Sequence, residues 1–320
     1  MNSYTGLVTL ITGAGLVGTH VAQIMIGKGE RTILYDAAPN KEAIDSVLIS
    51  RDSDLIVGDL LDLPLLITVL KEHAVEKIIH TAARLGIAAT ANPYQAVQTN
   101  IIGTMNILEA SRLTSVEKVV FTTSASVYSA FAREEASEPL SEDAPTKPLG
   151  VYASTKLACE NLGGDYSKRY GLKFLSARLG AVYGPWKGPP GSGPARILDS
   201  LLNELAKRGE AEIRSWCPEM IYSKDVARGL IMLSEAKNLK HNLYNITSGI
   251  LFKSAEEFAA QIQLALPRLK LKVAEQTRIE GVPASQPISN QRAQHDFGFT
   301  IDYPLENAAA EYYEWIKRHS

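Results

Sequence analysis

The 320-residue chain is poor in the residue types that mark several protein classes. It has two cysteines, Cys159 and Cys217, 58 positions apart, so there is no CxxC pair and no disulfide framework. Its six histidines are scattered without the HxxxH type of spacing, which argues against a built-in metal. No apolar run reaches the roughly 20 residues that cross a bilayer. The opening MNSYTGLVTLITG lacks the basic, apolar and small-residue succession of a secretory leader. An excess of one charge is also missing: 33 basic against 35 acidic side chains leave −2, which gives no pull toward nucleic acid or an anionic membrane. These absences lead us to expect a cytoplasmic, metal-independent protein without nucleic-acid or membrane partners. What is present is 45% hydrophobic and 21% charged residues, enough for a real core. At about 150 residues per domain, the length suits two domains or one large one.

Short apolar or β-branched runs at Val8–Thr12, Thr32–Tyr35, Leu55–Val57, Lys77–His80, Val119–Thr122 and Phe174–Leu179 read as buried strands. Helical patterns lie between them at Gly18–Gly27, Leu63–His73, Tyr94–Leu113 and Tyr152–Tyr170, and strand alternating with helix implies βαβ units with right-handed crossovers. After Gly184 the character changes. Residues 184–194, GPWKGPPGSGP, are eight Gly or Pro in eleven, a connecting loop or a substrate-side lid. Beyond it come a helix over Ile197–Arg208, then a strand, a helix from Asp225, a strand at Asn242–Thr247, and a last helix with Leu305, Ala308, Ala309, Tyr312 and Ile316 on one stripe. Residues 133–143, REEASEPLSED, read as an acidic solvated segment.

Two constellations carry chemistry. Residues 12–18, TGAGLVG, place Gly13, Gly15 and Gly18 in a G-x-G-x-x-G turn with Leu16 and Val17 between, after the first strand and before the first helix. One glycine makes the turn, one lets the backbone approach a diphosphate, and the third allows close packing of helix on strand. Asp36 lies 18 positions beyond Gly18, at the end of the second strand, where a carboxylate can accept from a ribose 2′-hydroxyl and repel a 2′-phosphate; no basic residue follows at Ala37 or Ala38, so NAD is favoured over NADP. The second constellation is YASTK. Tyr152 and Lys156 share a helix face, and a neighbouring cation should favour the phenolate, which gives a general acid/base near neutral pH. Ser124, in TTSASVY at the end of an apolar strand, could hydrogen-bond a substrate oxygen while Tyr152 moves the proton.

The ordered set TGAGLVG, Asp36, GDL (58–60), HTAA (80–83), NIIGT (100–104), TTSASVY (122–128), YASTK (152–156), RLGAVYGP (178–185) and SKDVARG (223–229) resembles the extended short-chain dehydrogenase/reductases, the NAD-dependent epimerase/dehydratase family, over nearly the whole chain. The resemblance implies an α/β fold: a Rossmann-type doubly wound parallel sheet (1–184 and 217–247) with a smaller, partly discontinuous C-terminal substrate domain (185–216 and 248–320). It implies Ser124, Tyr152 and Lys156 as the catalytic triad, with Lys156 also on the nicotinamide ribose. Asp59 and Leu60 would flank the adenine, Ala82 and Ala83 would line the cofactor cleft, and Asn100 would help fix its active-site end. It also implies a homodimer through the helices at Tyr94–Leu113 and Tyr152–Tyr170.

Departures from the family pattern narrow the reaction. Ala125 and Ser126 stand where the family's dehydratases carry Asp-Glu, so 4,6-dehydration is not expected. Ala181 and Pro218 stand where nucleotide-sugar members often carry Asn and Arg, and Arg196, Arg214 and Arg292 are the candidates to replace them. The expected activity is hydride transfer between NAD and a secondary alcohol of a small sugar-like or hydroxy-acid substrate. The alternative is an epimerase, with tightly bound NAD and a nucleotide sugar as possible substrate. A cofactor-sensing protein without turnover is a third reading that the intact Ser124, Tyr152 and Lys156 disfavour.

Overall fold

The computed structural model describes residues 7–49, 53–114, 116–128, 138–189, 192–280 and 286–319; residues 133–137 of the acidic segment and 190–191 of the Gly/Pro-rich loop lie outside the described residues. Alternation along each short strand decides the layering. Leu10, Ile33, Ile78, Val119 and Phe121 bury on one face of the sheet, and Ile11, Leu34, Ile79 and Val120 on the other. Both faces are thus apolar, which a parallel sheet covered by helices on both sides requires.

The strands in chain order are β1 (Val8–Thr12), β2 (Thr32–Asp36), β3 (Asp54–Val57), β4 (Val75–His80), β5 (Lys118–Ser124), β6 (Lys173–Leu179), β7 (Val182–Tyr183), β8 (Glu210–Trp216), β9 (Ile221–Tyr222), β10 (Leu243–Ile246) and β11 (Lys270–Ile279). Seven of them form the main sheet in the order β3-β2-β1-β4-β5-β6-β10, all parallel. Helices Leu16–Gly27 and Ser223–Glu235 cover the Ile11 face through Val21, Met25, Val226 and Leu230. Helices Leu63–Glu72, Gly103–Arg112 and Gly150–Tyr170 cover the other through Leu66, Leu70, Ile107 and Cys159. The fold is therefore of Rossmann type. Its strand order reverses between β1 and β4, and the crevice at their carboxyl ends is where such sheets bind ligands.

A second apolar cluster joins helices Gly193–Arg208, Ala255–Ala265 and Leu305–His319 to β8, with Leu198, Ile213, Phe258 and Tyr312 at its centre. The stripe Leu305, Ala308, Ala309, Tyr312 and Ile316 is buried, as its spacing predicts. Not all of the C-terminal part packs here: Ala293 and Phe299 join the cluster on the Ile11 face of the main sheet. Asp225, fully buried, ties the two together by accepting the main-chain N–H groups of Asp302 and Tyr303, each at 3.0 Å.

Two elements differ from the sequence reading. The helix expected over Tyr94–Leu113 is three pieces, Pro93–Val97, a π-helical turn Gln98–Ile102, and Gly103–Arg112. The Gly/Pro-rich stretch ends inside a helix: Ser192 caps the main-chain N–H of Ala195 at 3.2 Å, and Pro194 sits in the first turn, where its missing N–H costs nothing. On the helices where a homodimer is expected, Tyr94 is 75% exposed and Ile102 42%. Among the described residues no helix is long and apolar enough to cross a membrane.

Glu219 gives the fold a pH dependence. It is buried, and it accepts the N–H of Ile288 at 3.1 Å and of Gly249 at 3.4 Å. Burial pushes its carboxyl up to about 7, against the opposing pull of these bonds. The folded state then keeps this proton to higher pH than the unfolded chain, so stability falls as pH rises from the usual carboxylate range through about 7. Thermal melts across that window should show the loss, and Glu219→Gln should flatten it; an equally steep profile in the variant refutes the assignment.

Candidate active site

The glycine turn opens directly off β1. Gly13 has φ +86°, and a Cβ there would lie 2.7 Å from Ala82 Cα; one at Gly18 would lie 2.0 Å from the Gly13 carbonyl oxygen. Neither position can carry a side chain. Gly15, by contrast, is exposed with open space around it, and the half-buried Leu16 and Val17 begin the first helix. Thr81, just after β4, locks the turn in place. Its N–H donates to the Thr12 carbonyl at 2.9 Å, and its hydroxyl lies within hydrogen-bond distance of the Thr12 and Gly13 carbonyls, at 2.8 and 3.0 Å. Asp36, at the end of β2, accepts the N–H of Ala14 on Oδ2 and of Ala38 on Oδ1, both at 2.8 Å. The carboxylate stands on the rim of the turn with lone pairs left over. Beyond β3, Asp59 is exposed and accepts the Leu61 N–H at 3.0 Å, while Leu60 is buried and its carbonyl takes Asn106 Nδ2 at 2.8 Å.

At the other side of the crevice Asn100 is carried on the π-helical turn and is buried. Its Oδ1 accepts the Arg84 N–H at 2.8 Å, and its Nδ2 donates to the Arg84 carbonyl at 3.1 Å and to Thr155 Oγ1 at 3.0 Å. Both amide donors are thus committed to protein, and Asn100 couples the half-buried Ala82–Arg84 segment to the Gly150–Tyr170 helix. His80 is buried between the hydroxyls of Thr12 and Thr104, and burial holds its pKa down to about 3, so it is a neutral structural link.

The structure brings Ser124, Tyr152 and Lys156 together. Ser124 ends β5 and lies close enough to the Tyr152 phenol to lower its pKa through side-chain hydrogen bonding. Both are half-buried, whereas Lys156 is buried, with its ammonium 5.9 Å from the centre of the Tyr152 ring and 4.6 Å from that of Phe121. Lys156 Nζ donates to the Thr122 carbonyl at 2.7 Å. One expectation is corrected. Burial raises the Tyr152 phenol to about 12, more than the Ser124 hydrogen bond lowers it, and burial also brings Lys156 down to about 8. Desolvation dominates at both groups, and it favours the protonated phenol at Tyr152.

Sequence reasoning passed over Thr81, Arg84, Thr155 and Glu160. Glu160 had a signal, since it lies one turn beyond Lys156 on the same helix face. Two arginines proposed as replacement anchors are otherwise engaged: Arg292 contacts Glu142 at 3.5 Å and also Asp143, and Arg214 pairs with Glu212 at 2.7 Å. Among the described residues no group of three or more His, Cys, Asp or Glu side chains is placed to hold a metal ion.

Comparison with known proteins agrees with this architecture. The chain is 34% identical over 193 residues to UDP-glucuronate 4-epimerase 1 of Arabidopsis thaliana, a match covering 58% of this chain but only 44% of that protein. It is 27% identical to UDP-glucose 4-epimerase of Halalkalibacterium halodurans, across 97% of this chain and 96% of the relative. The L-threonine dehydrogenase of Clostridium difficile shares the fold with a TM-score of 0.82, covering 98% of each chain, at 21% identity. Residues 9–247 match the model of the NAD dependent epimerase/dehydratase family. With three quarters of its length inside that match, the chain belongs to the NAD-dependent epimerase/dehydratase family.

Proposed function

We propose that the protein is an NAD-dependent oxidoreductase that exchanges a hydride with a secondary alcohol of a small sugar-like or hydroxy-acid substrate. The observation that carries this is the convergence of Ser124, at the carboxyl end of β5 beside β4, on the Tyr152 phenol, with Lys156 one helical turn away. The residues present suit a dinucleotide. The turn has a closed floor at Gly13 and Gly18 and open space at Gly15, and Asp36 stands at its rim. In the proposed arrangement Gly13–Gly18 hold the diphosphate, Asp36 the adenine-side ribose, Asp59 and Leu60 the adenine. Ala82, Ala83 and Lys156 hold the nicotinamide end, with Asn100 keeping that wall in register.

Ser124 donates to the alcohol oxygen and orients it toward Tyr152. Tyr152, as phenolate, takes the hydroxyl proton, and in the reverse direction the phenol returns it. Lys156, its stem packed and its ammonium anchored on the Thr122 carbonyl, holds positive charge 5.9 Å from the centre of the Tyr152 ring. The chemistry that bound NAD would supply is that of a hydride acceptor whose oxidised ring carries a positive charge, which would add to the field on the phenol.

The absence of the usual nucleotide-sugar anchors at Ala181 and Pro218, with Arg214 and Arg292 already paired, supports a small substrate. The epimerase reading is supported by the full-length match to a UDP-glucose 4-epimerase. Purified protein incubated with NAD and paired panels of polyols, hydroxy acids and nucleotide sugars separates them. Net NADH with a polyol or hydroxy acid is the expected result. NAD retained through gel filtration, with isomerised nucleotide sugar and no net NADH, would replace it by the epimerase.

A further inference from the structure

Arg84 has no place in the mechanism above, yet its backbone lies just beyond the carboxyl end of β4, beside the crevice. It is the first residue after Ala82 and Ala83, beyond the carboxyl end of β4, and Ala82 packs against Gly13 of the turn. Its main chain is held at both ends by Asn100, through N–H to Oδ1 at 2.8 Å and carbonyl to Nδ2 at 3.1 Å. Asn100 in turn reaches Thr155, whose hydroxyl donates to the Tyr152 carbonyl at 2.8 Å. The backbone of Arg84 is therefore fixed between the glycine turn and the turn of helix that bears Tyr152.

Its side chain is not fixed by any such partner. Nε is buried and without a hydrogen-bond partner, and among the described residues no carboxylate forms an ion pair with the guanidinium. This sets it apart from other largely buried cations of the chain. Lys156 is anchored on the Thr122 carbonyl, Arg178 grips Glu160, and Arg292 is paired with Glu142 and Asp143. A guanidinium cannot discharge itself by losing a proton, and its planar fork suits two oxygens of one anion. A buried, unpartnered Nε–H on a rigidly held backbone, beside a crevice open at Gly15, is the arrangement of a donor awaiting such an anion.

We propose that Arg84 binds an oxyanion at the reacting end of the crevice, a phosphoryl or carboxylate group gripped through Nε and one terminal nitrogen. Two sources present this chemistry: the diphosphate of the dinucleotide, and an acidic group on the substrate. The proposal rests on the crevice being the ligand site of the preceding section, but not on turnover.

Calorimetry on wild type, Arg84→Gln and Arg84→Lys tests it without activity. In one arm the probes are ADP-ribose, which carries the diphosphate, and adenosine, which does not. In the other, NAD-saturated protein is titrated with sugar acids, each paired with its neutral sugar. Loss of about tenfold or more in ADP-ribose affinity in Arg84→Gln, with adenosine unchanged, assigns the diphosphate. The same loss confined to the acids assigns the substrate group. In either case Arg84→Lys should retain part of the affinity, and a failed folding of Arg84→Gln would leave the Lys variant as the measure. ADP-ribose affinity equal in all three proteins, together with no acid held better by wild type than by the variants, overturns the proposal. Because every readout is binding, the catalytic reading can fail with Arg84 still an anion site, and the reverse.

Discussion

Tyr152→Phe should lower turnover by about 10²–10⁴-fold, the range general acid–base groups contribute, while NAD binds as before. The substitution removes one oxygen. The ring keeps its place against the Lys156 ammonium, 5.9 Å from its centre, and the helix keeps its register through Thr155 and Asn100. The phenol sits at about 12, so the wild-type rate of alcohol oxidation should climb with pH as the proton is lost more readily. The Phe variant should show no such limb. Stopped-flow turnover across pH, with NAD affinity measured alongside, checks both statements. Retained activity would remove Tyr152 from the chemistry and leave the crevice as a binding site.

Glu160→Ala should be the most damaging change to the fold, by about 3–5 kcal/mol, because it strands a buried arginine. Glu160 and Arg178 face each other at 2.7 and 3.0 Å through both carboxylate oxygens, with side chains 7% and 4% exposed. Oε1 also accepts the Thr123 hydroxyl at 2.7 Å. Arg178 continues to the Tyr128 hydroxyl at 2.6 Å, and Tyr128 donates to Asn245 Oδ1 at 3.0 Å. One carboxylate thus pins the Gly150–Tyr170 helix to the strand ending in Ser124 and to β6. Chemical denaturation of Glu160→Ala and Glu160→Gln gives the loss, and a change below about 1 kcal/mol would mean that the pair is solvated in solution. In Glu160→Gln, which keeps the shape, any fall in turnover beyond the fall in folded protein measures how far the proposed Ser124, Tyr152 and Lys156 site depends on this brace.

The main sheet was legible in the sequence because its strands are short apolar runs between turn residues, and in the central strands burial on both faces leaves no polar alternation to mislead. The glycine turn and Asp36 were legible because backbone geometry there restricts the residue type. The break in the Tyr94–Leu113 helix was not. A π-helical turn adds a residue without Pro or Gly, and its cause is tertiary: the Asn100 amide must meet both Arg84 and Thr155. The pKa of Tyr152 was misjudged for a related reason. Residue spacing shows the neighbouring lysine but not the desolvation of both groups, which dominates here. β11 also escaped, since at Lys270–Ile279 it alternates polar and apolar side chains with little of it buried, although its partner strand β8 lies where a strand was expected.

Asp36 has a consequence for anyone wishing to redesign cofactor preference. Its Oδ2 holds the Ala14 amide, so the acid that would discriminate against a 2′-phosphorylated dinucleotide is also a strut of the loop itself. Swapping it for a small neutral residue would trade selectivity for a slackened loop, and both dinucleotides would suffer. A productive switch needs a short side chain that still accepts from Ala14, such as Ser or Asn, together with a basic residue at Ala37 or Ala38 to meet the added phosphate.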